Sequence, residues 1–209
     1  MGDQPYAMLL PWIFFAVVAR HSGEGVTWGA VAALIASVTL LVTSRRPVGN
    51  IRNTVALGAI AWFTALGVAG LLWDDGGTFS RYSRFVAALG FVVIAFGSLA
   101  YRPAMEFYAR SYVRSRLWTS HGFLRLSYQL TLLWGVIFVG IAGAFFAAAT
   151  LRIDQAYTVF NWVVPISLCA IGAHLGRAYW YNWTDELEFE DDPLHALGLD
   201  YSDDWDTTL

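Results

Sequence analysis

Apolar residues run along this chain in long, barely interrupted blocks at 28–43, 54–73, 85–101, 126–150 and 160–178. At about 1.5 Å per helical residue these blocks, some with flanking residues added, cross a hydrocarbon core of about 30 Å, so each predicts a transmembrane helix. A shorter first block, 6–19, contains Pro11 and ends at Arg20. It predicts a short tilted span whose arginine snorkels outward, with a re-entrant segment as the alternative. Because the residues before it carry Asp3 and no Lys or Arg, it does not read as a cleaved signal. The predicted fold is an all-α integral membrane protein, a bundle of about six transmembrane helices with the first one short. An interfacial Arg-rich helix at 102–125 belongs to the transmembrane domain, 1–178, and an acidic tail follows at 179–209.

Composition strengthens the membrane assignment: 57% of the 209 residues are hydrophobic and only 14% are charged, far from the balance of a soluble domain. The single cysteine, Cys169, rules out an internal disulfide framework or a cysteine metal site. The net charge of −3 conceals an asymmetry, since ten of the sixteen acidic residues lie at or after Asp185 while all thirteen basic residues lie at or before Arg177. All thirteen are arginine, which suits a GC-rich bacterial genome. Arg45, Arg46, Arg52, Arg102, Arg110, Arg114, Arg116, Arg125 and Arg177 fall on one side of a six-span topology, and Arg20, Arg81, Arg84 and Arg152 on the other. The richer side is expected to be cytoplasmic, which puts both termini in the cytoplasm of a bacterial inner membrane.

Candidate chemistry is sparse. No Asp, Glu, Lys or Arg falls near the middle of a predicted span, which argues against an ion-coupled pump. The polar groups inside the spans are Ser37, Thr39, Thr64, Ser98, Thr131, Asn161, Ser167 and His174, most of them able to bond to backbone carbonyls or neighbouring helices. His174 reads as a hydrogen-bonded interfacial histidine, and Pro165 predicts a bend near the start of the last helix. Small residues spaced by four at Ala61, Ala65 and Ala69, at Gly140, Ala144 and Ala148, and at Gly172 and Gly176 suggest close helix contacts. The turn around Gly76 and Gly77 reads as solvated.

The densest set of distinctive residues is 102–125. On one helix Arg102, Glu106, Arg110 and Arg114 would form a charged stripe, with Glu106 and Arg110 in the favourable order for an ion pair. Tyr108, Tyr112 and Trp118 suit the headgroup level, and Thr119 or Ser120 can cap the next helix. With Arg125, this segment predicts a surface resting on anionic lipid headgroups or docking a partner. The tail alternates Trp180, Tyr181 and Trp183 with Asp185, Glu186 and further acids. It is expected to fold back onto the arginines or to engage a basic partner. No catalytic residue, metal ligand, cofactor or nucleic-acid partner is expected.

The stretch from Pro103 through Glu106 to Arg110, then Leu117-Trp118-Thr119-Ser120, Phe123-Leu124-Arg125 and Leu130-Thr131-Leu132-Leu133-Trp134-Gly135, resembles a motif of small bacterial membrane proteins similar to the intracellular septation protein A group. The opening Leu10-Pro11-Trp12-Ile13-Phe14-Phe15 also resembles that group, although Leu9 and Leu10 stand where it carries an acidic residue. The likeness covers 6–178, with its specific part at 103–135. It implies a non-catalytic inner-membrane protein linked to cell-envelope synthesis or division and acting through other membrane proteins; an accessory or scaffold role, with a membrane-protein partner or a homo-oligomer, is the leading expectation. Two alternatives stay open: a small carrier or channel lined by Asn161, Ser167 and His174, and an enzyme in which Arg102, Arg110 and Arg125 hold a lipid phosphate while Glu106 or His121 moves a proton.

Overall fold

The structure is a computed structural model and describes residues 5–19, 25–43, 53–72, 77–111, 113, 115–151 and 157–190, without the side chains of 5, 6, 116 and 183–190. A 3-10 turn, Pro5–Leu9, leads into α1 (Leu10–Val18), followed by α2 (Gly25–Thr43), α3 (Thr54–Leu72) and α4 (Thr78–Leu99). A short α5 (Glu106–Arg110) and a 3-10 turn (Ser115–Leu117) precede α6 (His121–Thr150); a π-helical turn, Val159–Val163, then opens α7 (Val164–Glu190). Among the described residues there is no strand. Among the described residues five helical stretches are long and apolar enough to cross a membrane, the last of them Val159–Asn182, while Ala7–Val18 is apolar but shorter. The protein is therefore a multi-pass membrane protein by the length and composition of its helices.

Leaving aside the short α5, successive helices pack side by side, α1 returns against α4, and α4 and α6 form the most closely joined pair. The core is aromatic. Trp12 meets Phe63, Phe91 and Phe138 edge-on at ring separations of 5.5, 5.0 and 6.0 Å, and Phe91 stacks on Phe138 at 4.0 Å. The Trp12 indole N–H donates to the Ala87 carbonyl at 2.8 Å, so its one polar atom is satisfied where water is absent. Short as it is, α1 is thus keyed into three other helices.

Small residues set the helix approaches, on faces the spacing identified only in part. Gly140 and Gly172 let α6 and α7 come close, since a Cβ on either would stand 3.1 Å from Leu168 or 3.2 Å from Ile137. The row Ala61, Ala65 and Ala69 is not the packing face of α3: Ala61 and Ala65 are exposed, and Val55, Ala56, Ala59, Phe63 and Leu66 are buried instead. The α3–α4 approach depends on Gly90, where any Cβ would collide with the Trp62 ring, itself fixed by an N–H bond to the Val86 carbonyl at 3.2 Å. Gly77 opens α4 at φ +98, a conformation that favours glycine.

Two expectations need correction here. The block at 85–101 begins too late, because α4 starts at Thr78 and carries Arg84 as a buried helical residue rather than a loop cation. The segment 102–125 is not one interfacial helix. It is a bend, the five residues of α5, a 3-10 turn and the start of α6. Pro103 ends any continuation of α4 by lacking an N–H and by disfavouring helix at the residue before it.

Candidate functional site

The segment after α4 is pulled into the bundle by its backbone. The Ser98 hydroxyl accepts from the Ala104 N–H at 3.0 Å, and the Thr131 hydroxyl accepts from the Met105 N–H at 3.1 Å. Each hydroxyl hydrogen goes to a carbonyl of its own helix, Ala95 and Ser127 respectively, so one side chain ties two segments together. Pro103 through Ala109 are all buried. Apolar Met105, Phe107 and Tyr108 then join the core cluster.

Glu106 goes in with them, at 3% exposure. Arg110, one turn on, donates to the same carboxylate oxygen from Nε at 3.2 Å and Nη2 at 2.6 Å, so the predicted ion pair forms within the short helix. The guanidinium lies 4.7 Å from the Trp118 ring centroid, and that indole N–H donates to the Val113 carbonyl at 3.0 Å. Carboxylate, guanidinium and indole form a stack that neutralises the buried charge and ties Trp118 both to Arg110 and to Val113. Ser120 caps α6, its hydroxyl accepting from the Phe123 N–H at 3.2 Å.

The charged stripe is corrected accordingly. Glu106 faces inward, Arg102 is exposed in the bend before Pro103, and Arg125 is exposed near the start of α6. Arg114 lies outside the described residues, as does Tyr112. Tyr108 is buried rather than at the headgroup level, and its hydroxyl accepts from Asn53 Nδ2 at 3.3 Å. Asn53 in turn caps α3, its Oδ1 accepting from the Ala56 N–H at 3.1 Å. Burial pushes the Tyr108 phenol up from 10.0 to about 12, with the Asn53 bond acting in the opposite direction. A phenol harder to ionise when folded stabilises the fold fully below pH 10, and that contribution is lost as the pH rises toward 12. Against Tyr108→Phe, the wild-type chain should lose stability more steeply between pH 10 and 12 in detergent unfolding; parallel curves would show that the phenol is not shielded.

At the opposite end of the bundle Arg84 Nη1 donates to Asn161 Oδ1 at 2.8 Å, while Asn161 Nδ2 donates to the Tyr157 carbonyl at 2.9 Å. The Trp162 ring lies 5.9 Å from the guanidinium. Asn161 sits in the π-helical turn, four residues before Pro165, where the missing proline N–H loosens the helical ladder. The irregularity falls where Pro165 predicts it, while the arginine it receives comes from 77 positions away.

Most polar groups in the spans bond within their own helix. Ser37, Thr39, Thr64, Ser98 and Thr131 donate to carbonyls three or four residues back. Ser167 and His174 make no hydrogen bond to any described residue, and both are exposed. The face of α7 that carries His174 points away from the bundle, so the hydrogen bond expected of it has no partner among the described residues. Gln129 Oε1, which the sequence reading passed over, is buried on α6 without a partner among the described residues. Trp180 is half-buried on α7; the backbone of Trp183, Asp185 and Glu186 continues that helix, and the tail beyond Glu190 lies outside the described residues. Among the described residues no three His, Cys, Asp or Glu side chains converge as a metal site. No family model, curated protein or solved structure matches the chain.

Proposed function

We propose that the protein is a non-catalytic accessory or scaffold protein of the bacterial inner membrane that docks another membrane chain along α7. The carrying observation is how little of that helix the bundle covers: 17% of its membrane-length window is buried, against 28% to 56% for the other four. A helix packed along one side leaves the rest of its surface for lipid or for a partner. The groups that would perform chemistry support the same reading, since Glu106 is held by Arg110 rather than presented to a substrate. Counting Ala7–Val18 as a short sixth span and applying the arginine bias puts both termini in the cytoplasm, with Arg102 and Arg125 toward anionic headgroups. The envelope role implied by the septation-group resemblance belongs to this reading.

Solubilising native membranes gently and purifying the full chain beside Ala170→Phe, a bulky change on the exposed side of α7, tests it. A stoichiometric membrane chain should be retained by the first and lost by the second. Absence of any such chain, a second copy included, overturns the docking role, and solute uptake by vesicles holding the purified protein would make it a carrier.

A further inference from the structure

Ser167 and His174 are seven residues apart, hence two helical turns apart on the same face of α7. Gly172 and Pro165, on the opposite side, are buried toward the bundle, whereas Ser167, Ala170, His174 and Ala178 are all exposed. His174 lies fifteen residues after Val159 and eight before Asn182, the ends of the candidate span, so it sits about 22 Å from one end and about 12 Å from the other. Both polar groups thus lie at hydrocarbon depth, where an unmet hydrogen bond is costly and lipid chains offer no partner. Other serine and threonine groups in the spans escape that cost by bonding to their own helix; these two do not.

We propose that the outward face of α7 pairs with the same face of a second copy of this chain, His174 against its counterpart and Ser167 against its counterpart. This rests on the docking role assigned to α7 and names its partner. Copies inserted in one membrane share an orientation, so a two-fold axis between them runs along the membrane normal and brings each residue to its own equivalent at its own depth. Such a pairing suits only groups that complement themselves. A serine hydroxyl carries both a donor and an acceptor, and an imidazole carries two ring nitrogens that can bond to those of a second imidazole. Ala170 and Ala178, four residues to either side of His174, hold no bulk that would keep the backbones apart. Arg177, exposed nearer the end of the span, has the reach to carry its charge out to the headgroups.

The test uses disulfide crosslinking in native membranes. In a Cys169→Ser background, which removes the chain's single cysteine, cysteine is introduced by Ala170→Cys, by Ala178→Cys, or by Val136→Cys on the exposed side of α6 as a control. Oxidation should give a product at twice the 23.2 kDa of the chain from the two α7 positions and little from the control. Adding His174→Leu should lower the yield about 3- to 10-fold, while His174→Gln, which keeps a donor and an acceptor, should retain most of it. Equal yields at all three positions, or no effect of His174→Leu, overturn the self-pairing. A crosslink from α7 to a different polypeptide overturns it too, yet leaves the docking role standing; the absence of any crosslinked product at either α7 position overturns the self-pairing and leaves the docking role to the co-purification test.

Discussion

Replacing Trp12 by alanine should lower the thermal unfolding midpoint in detergent by about 10 °C, the largest effect expected of any single truncation in the bundle. Trp12 touches Phe63 on α3, Phe91 on α4 and Phe138 on α6, and is 6% exposed. Removing a large aromatic from such a site costs about 3–5 kcal/mol in soluble cores, part of it from the cavity left behind. That cavity would open where four helices meet, and α1 is too short to compensate elsewhere. Trp12→Phe separates two contributions: it keeps most of the packing and loses the bond to the Ala87 carbonyl, for a cost of about 1 kcal/mol. A midpoint unchanged by Trp12→Ala would mean that α1 is not anchored through the aromatic core.

Arg110→Met should be the most damaging change in the segment between α4 and α6, at about 3 kcal/mol, because it leaves the Glu106 carboxylate buried without its counter-charge. Glu106→Gln should cost less, since Arg110 keeps the Trp118 ring and is itself 13% exposed. The double variant should cost less than the sum of the two, the mark of an interaction made by the pair. Denaturant or thermal unfolding of the four proteins measures all three terms. Additive costs would mean that the pair contributes nothing beyond its separate side chains, and that backbone capture by Ser98 and Thr131 alone holds the segment in place.

The segment around Glu106 also marks where sequence reasoning stopped. The four-residue spacing of Glu106 and Arg110 was enough to pair them, because that pairing depends only on helical rise and turn. It also suggested a long surface stripe, since spacing carries no information about which way a helix faces. Pro103 was the available signal against it, but the inward turn comes from Ser98 and Thr131 capturing two backbone N–H groups, a contact between residues up to 26 positions apart. Arg84 escapes the hydropathy pattern for a related reason. A hydropathy block ends at its first cation, whereas α4 tolerates one because Asn161, 77 positions away, supplies an acceptor inside the bundle. Likewise the alanines at 61 and 65 were spaced for packing, but the face of α3 that packs was chosen by Phe63 and Leu66.

By itself the sequence determined what local physics controls: the apolar blocks long enough to span a membrane, a helix cap at Thr119 or Ser120, the glycine turn around Gly76 and Gly77, the place of the helical irregularity before Pro165, and the Glu106–Arg110 pair. Each follows from length, dihedral preference or helical spacing within a few residues. Tertiary structure alone decided which faces turn inward. It drew Glu106, Tyr108 and Arg84 into the bundle, gathered the aromatic rings around Trp12, and left Ser167 and His174 on the uncovered side of α7. Those outcomes depend on which helices become neighbours, and in a chain this uniformly apolar no single helix carries enough contrast between its faces to announce them.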